Sequence, residues 1–222
     1  MTPSEAILEA VKAGEEQKVR EFLQADPALA GARGVAGESA ILMAAYRGRS
    51  DLVELLLAAG PELDIFEASA TGQADRVRSL LASEPGLANA TATDGFTPLG
   101  LASFFGHAEV AALLLARGAE VNAPSKNEMS VMPVSSAAAG RHTAVVKLLL
   151  DHGADPNARQ RSAFTPLHSA AHNGQVDMVE LLLARGADIN AKSDEGLTSL
   201  RLALDRGRTA VAELLRARGA AE

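Results

Sequence analysis

Thr165-Pro166-Leu167-His168, followed by Ala170-Ala171, Gly174, Val179, Leu181-Leu182-Leu183 and Gly186-Ala187-Asp188-Ile189-Asn190, is one complete unit of a design that this chain repeats. The unit recurs upstream around Thr97-Pro98-Leu99 and downstream around Thr198-Ser199-Leu200. Self-similarity at a period near 33 residues marks an array of small units, each burying its apolar face only against its neighbours. Such an array offers a long surface and no built-in reaction site.

Within a unit, each signal has a local cause. Threonine before proline reads as a helix start, because the hydroxyl can accept an orphan amide hydrogen and proline's fixed φ suits the first helical position. Thr2-Pro3-Ser4-Glu5 does the same at the beginning of the chain, where Glu5 completes a capping box. The corner between the two helices of a unit falls at Gly14, Gly48, Gly72, Gly106, Arg141, Gly174 and Gly207, with spacings of 34, 24, 34, 35, 33 and 33. Glycine suits a corner that needs positive φ. Seven units follow from the count. After each corner comes a run such as Asp51-Leu52-Val53-Glu54-Leu55-Leu56-Leu57, apolar over so wide an arc that it must be covered on more than one side. First helices are alanine-rich, as at Ala44-Ala45 and Ala170-Ala171, which lets paired helices approach closely. Gly-Ala-Asp-x-Asn-Ala with a following Asp94-Gly95 or Glu195-Gly196 reads as an extended finger with a tight turn.

On these residues the whole chain resembles an ankyrin repeat protein, of the alanine-rich bacterial kind, most specifically over residues 94–220. The resemblance implies an all-α fold, an ankyrin-repeat α-solenoid of about seven helix-turn-helix units with short β-hairpin fingers, and a concave groove that binds other proteins. It divides a single domain, 1–222, into an N-terminal capping repeat (1–33), repeats at 34–63, 64–90 (shortened), 91–123, 124–158 and 159–191, and a C-terminal capping repeat (192–222). The end units are more polar, as capping requires: Glu15, Glu16, Lys18, Arg20 and Glu21 in the first, Arg201 and Arg216 in the last.

Two departures break the pattern. The 24-residue step between Gly48 and Gly72 leaves no room for a finger, since Gly60-Pro61 closes one unit and Asp64-Ile65-Phe66-Glu67-Ala68 starts the next helix directly. The finger row should be interrupted there, either kinking the stack or merely shortening a loop. The finger entering the fifth unit is longer, has lost its Asp-Gly turn and carries Met129, Val131 and Met132; in the same unit Arg141 occupies the corner, with Gly140 one place early.

Composition narrows the function. A net charge of -7 argues against nucleic acid, which is bound through basic side chains. Absence of cysteine removes disulfides, thiolate metal sites and cysteine nucleophiles. The start lacks a secretory pattern and no run approaches the roughly 18 apolar residues of a membrane span, so a soluble, cytoplasmic protein is expected. No phosphate loop, dinucleotide fingerprint or Gly-x-Ser-x-Gly elbow occurs, and Asn89-Ala90-Thr91 matches a glycosylation triplet only by chance. His168 and His172 stand four apart on one helix face, a metal-ligand spacing. No glutamate follows His168, however, and the resemblance makes that histidine a backbone-bonding residue. His107 and His142, in matching places after their corners, read as structural too. The expectation is no cofactor, no metal and no catalysis.

Projecting each unit onto the ankyrin pattern leaves outward positions just before the corner and just before the Thr-Pro. Tyr46, Phe96, Phe104, Phe105 and Phe164 fall in these slots, although the chain has only six Phe and one Tyr. Aromatics outside the core invite a covering partner. The expected binding patch is centred on the fourth unit, with Phe96, Phe104, Phe105, Met129 and Val131 as its apolar middle and Tyr46, Arg47, His172, Asn173 and Arg206 as flanks; Phe164 joins the set. Phe96 and Phe164 could instead tuck against their own fingers. The leading function is a monomeric, non-catalytic module that captures a segment of a protein partner. The alternatives are an accessory or regulatory subunit that completes an enzyme site, and a scaffold that self-associates through the patch.

Overall fold

The computed structural model describes residues 1–221; Glu222, drawn above as the end of the seventh unit, lies outside them. Among the described residues fourteen α-helices form seven pairs: α1 (Pro3–Ala13) with α2 (Glu16–Ala25), α3 (Ala40–Tyr46) with α4 (Ser50–Ala58), α5 (Ile65–Ala70) with α6 (Ala74–Ser83), α7 (Pro98–Phe105) with α8 (Ala108–Ala116), α9 (Pro133–Ala139) with α10 (Thr143–Asp151), α11 (Pro166–Asn173) with α12 (Val176–Ala184), and α13 (Ser199–Asp205) with α14 (Thr209–Ala217). Odd helices pack on odd and even on even, giving two layers along one axis. The core therefore runs as a seam. Leu52, Leu56, Leu114, Leu149, Leu182 and Leu215 are sealed in the outer layer, and Ile41, Ala44, Leu99, Ala102, Leu167, Ala170 and Leu200 in the inner one. Burying each of the leucines contributes about 2 kcal/mol.

Helix starts follow the caps read from the sequence. Glu5 N donates to Thr2 Oγ1 at 3.2 Å while Thr2 N donates to the Glu5 carboxylate at 2.7 Å. Ser39, Thr97 and Thr198 each accept from the amide three residues on. The fingers form no sheet among the described residues. Two of them close with an isolated bridge, Arg33 to Ser39 and Lys192 to Thr198, and others close through a single backbone bond such as Ala92 N to Phe96 O.

The recurring asparagine has a structural reason that spacing alone does not show. Asn89, Asn122 and Asn157 donate to the carbonyls of Gly118, Gly153 and Gly186 in the next unit at 2.9, 3.0 and 3.0 Å. Their Oδ1 atoms accept from the amides of Glu120, Asp155 and Asp188 at 2.8, 2.9 and 2.7 Å. Each asparagine thus bolts one unit to the next.

Corner residues are constrained twice. Gly14, Gly72, Gly106 and Gly174 all have φ between 73° and 84°. Each is also overlain by the next unit: a Cβ on them would meet the side chains of Arg49, His107, His142 and Arg208, respectively. Arg141 holds φ 68° without being glycine. Gly140, one place earlier, is needed for another reason: a Cβ there would run into the Phe104 carbonyl oxygen, where α9 crosses closest to α7.

Part of the spacing in the first four units recurs, although α1 and α5 start 62 residues apart and differ in length. Helices α2, α3 and α4 start at residues 16, 40 and 50; α6, α7 and α8 start at 74, 98 and 108, a constant offset of 58. The 310 turns at Pro27–Gly31 and Pro85–Asn89 keep the same offset. The missing finger at residues 60–64 lies between these two sets of elements.

Candidate partner-binding groove

At this junction a polar network replaces the absent finger. Asp64 caps α5 by accepting from the amides of Phe66 and Glu67 at 2.9 and 2.8 Å, and Glu67 returns a bond from the Asp64 amide at 3.0 Å. Arg33, from the finger of the second unit, reaches across to Asp64 Oδ2 and Glu67 Oε2, both at 2.9 Å. Glu67 is sealed from solvent, so this guanidinium is what balances its charge. Arg33→Met is expected to cost about 3 kcal/mol, because a buried carboxylate would lose its cation; chemical denaturation checks it, and Glu67→Gln in the same chain should recover part of the loss.

The aromatics gather at the ends of α3 and α7. Tyr46, at the end of α3, lies 5.5 Å from Phe105 and 6.5 Å from Phe104 between ring centroids, and the two phenylalanines meet edge to face at 5.1 Å. Units two and four thus touch over the top of unit three, where α5 is short and ends in the small residues Ala70 and Thr71. Tyr46 and Phe104 remain 44% and 37% exposed, while Phe105 is half-buried. The Tyr46 hydroxyl donates to Asp94 Oδ2 at 2.7 Å, tying α3 to the finger of the fourth unit. Burial and the Asp94 carboxylate drive the tyrosine pKa far above its usual value.

Two hollows flank the cluster, because α3 packs on α5 more loosely than α5 packs on α7. On the finger side a slot of about 380 Å3 is lined by Leu42, Met43, Tyr46 and Arg47 of α3 and its end and by Glu38, Thr93 and Asp94 of the flanking fingers. On the corner side a hollow of about 430 Å3 includes Val53, Leu57, Phe105 and His107. It opens beside Gly48, the corner over which no side chain of the third unit lies. The third unit contributes no finger, and the flanking fingers approach each other, a Cβ on Gly37 meeting Thr93 at 3.2 Å, with Tyr46 bonded to Asp94.

The other residues singled out from the sequence are spread along the stack. Phe164 is half-buried and packs on the His168 ring at 5.0 Å; Phe96 is half-buried near Gly100. Met129 is 46% exposed on the long fifth finger, whose Val131 is half-buried. Met129 O also accepts from the Arg161 amide at 3.0 Å, joining two fingers. His172 and Asn173 are half-buried, while Arg47 and Arg206 are exposed. The compact aromatic group is thus Tyr46, Phe104 and Phe105. Tyr46, placed in a flank by the sequence, is a full member because the shortened third unit brings α3 and α7 together. Sequence reasoning missed Val35 and Leu204, both exposed, and the slot residues Glu38, Leu42 and Met43. Their signal was faint, since only the absent finger opens the space above them.

The histidines have structural partners. His168 is fully buried; its Nδ1 accepts from the Thr165 amide at 3.2 Å, and its Nε2 donates to the Leu197 carbonyl at 3.0 Å in the next unit. His107 Nε2 donates to Ala70 O at 2.9 Å. Both ring nitrogens of His168 are thereby engaged. Among the described residues no group of three or more His, Asp or Glu side chains is placed to hold a metal ion. The recurring carboxylates are also accounted for: Asp155 and Asp188 accept from the amides of Asn157 and Asn190 at 2.8 and 3.0 Å.

A stack of two-helix units, stapled by asparagines and edged by fingers, is an α-solenoid of the kind built for holding other proteins. Residues 134–221 match the family described as ankyrin repeats (3 copies), and residues 94–126 match the ankyrin repeat; together they cover just over half of the chain. The protein belongs to the ankyrin repeat family. No curated protein matches the chain significantly. Ankyrin repeats are generally protein-protein interaction modules and typically non-catalytic. Among the described residues no helix is long and apolar enough to cross a membrane.

Proposed function

We propose that this protein is a non-catalytic module that holds a segment of a partner protein in its groove, with Tyr46, Phe104 and Phe105 as the centre of the contact. The observation that carries the reading is their cluster: three of the chain's seven aromatic rings meet at one place and leave apolar surface open between two hollows. Partly exposed rings of this kind are what interfaces use as anchors. Around the centre, Phe96, Met129, Val131 and Phe164 extend the contact, and Arg47, His172, Asn173 and Arg206 border it. In this reading the seven units act as one continuous domain, monomeric and cytoplasmic.

Phe104→Ala is expected to weaken the complex by about 2 kcal/mol, roughly thirtyfold in Kd, while leaving folding nearly unchanged because the ring is partly exposed. Calorimetric titration with a partner isolated on the wild-type chain provides the test, with circular dichroism as the folding control. Unchanged affinity in Phe104→Ala, Phe105→Ala and the double variant would remove the centre.

A further inference from the structure

The slot left by the missing finger has a chemistry of its own. Its lining includes the apolar Leu42 and Met43, the Tyr46 ring, and the acidic residues Glu38 and Asp94 on two separate fingers. At about 380 Å3 it is at the small end of pocket sizes, which suits one long side chain better than a folded element. We propose that this slot is a subsite for a lysine or arginine side chain of the bound segment; the proposal rests on the groove reading above and names what the groove selects.

Lysine and arginine are the side chains that match such a lining, because a long apolar stem can lie on hydrophobic surface while the charged head stays at a polar edge. The two carboxylates are preset to receive the head. Asp94 is held by the Tyr46 hydroxyl on Oδ2 and by the Phe96 amide on Oδ1, at 2.7 and 3.1 Å. Glu38 is held on Oε2 by the Ala36 amide at 3.1 Å. A carboxylate has about four lone-pair sites, so both retain acceptor capacity. The Tyr46 ring adds an electron-rich face for a cation. Arg47 also lines the slot. It lies at the C-terminal end of α3, whereas Glu38 precedes the N-terminal end. Arg33, outside the slot lining, is engaged by Asp64 and Glu67, and the chain as a whole carries -7.

The test is selection of a random displayed peptide library on the full-length protein, followed by affinity measurements on the selected peptides. Expected is a Lys or Arg at a fixed position beside a large apolar residue. Replacing that residue by norleucine, which keeps a stem and removes the charge, should weaken binding at least tenfold. Glu38→Gln with Asp94→Asn should cost a similar factor, and the two losses should not add, because they break one interaction. Selected peptides that lack a basic position, or a norleucine peptide that binds equally well to the wild-type protein, overturn the subsite. If Phe104→Ala still abolishes binding of those peptides, the groove reading survives that result. If binding is indifferent to Phe104→Ala as well, or no peptide is selected, both fail.

Discussion

Alanine in place of Gly140 is expected to destabilise the fold by about 3 kcal/mol, the upper range for overpacking, because the new Cβ would strike a carbonyl oxygen in the backbone of α7 rather than a movable side chain. The two helices would have to separate, and α7 and α9 are the most extensively paired helices of the inner layer. Gly48→Ala supplies the contrast: it has φ 65° but nothing within 4 Å of the added carbon, so only the left-handed penalty of about 1 kcal/mol applies. Parallel denaturation of the two variants separates close approach from conformational freedom as the reason for a glycine. Equal losses would refute the distinction.

His168→Ala is expected to cost about 3 kcal/mol, since it removes a fully buried ring and strands the Leu197 carbonyl and the Thr165 amide. The same histidine makes stability depend on pH. Burial holds its pKa below the usual histidine value, and burial does the same for His107. In the unfolded chain both titrate near 6.5, so below that pH the unfolded state binds protons that the native state refuses. Stability is therefore full above pH 6.5 and falls on acidification, by at most about 1.4 kcal/mol per pH unit for each histidine. Denaturation at pH 8, 6 and 5 should show this slope, and His168→Gln should flatten it. A slope of the opposite sign would contradict the buried neutral form.

Features set by local chemistry could be read from the chain. Thr97-Pro98 and Thr198 start helices because their hydroxyls cap the next turn, and the positive φ of the corners already calls for glycine. The repeated leucines announced the seam for a similar reason, as each unit's outer helix meets the same surroundings. What spacing could not supply were contacts between residues far apart in sequence. Gly140 looked like a displaced corner, yet it is fixed by the approach of Phe104. Tyr46 was placed in its outward slot, but its bond to Asp94, 48 residues away, depends on how short α5 leaves the space between. Arg33 with Glu67 was hidden in the same way; only the capping phrase Asp64-x-x-Glu67 hinted at a polar network. The asparagine bolts were visible as a recurrence and unreadable as a bond.

The 58-residue spacing places the notch between two stretches of the stack that share the same intervals. A unit that joins without an edging loop leaves a notch beside it while the helix pairs on either side keep their stacking. Side chains facing that notch, such as Leu42 and Met43, are only partly buried and sit apart from the asparagine bolts. Met43 also packs against the hydrophobic core, so a change there alters what the notch can hold and the firmness of the stack together.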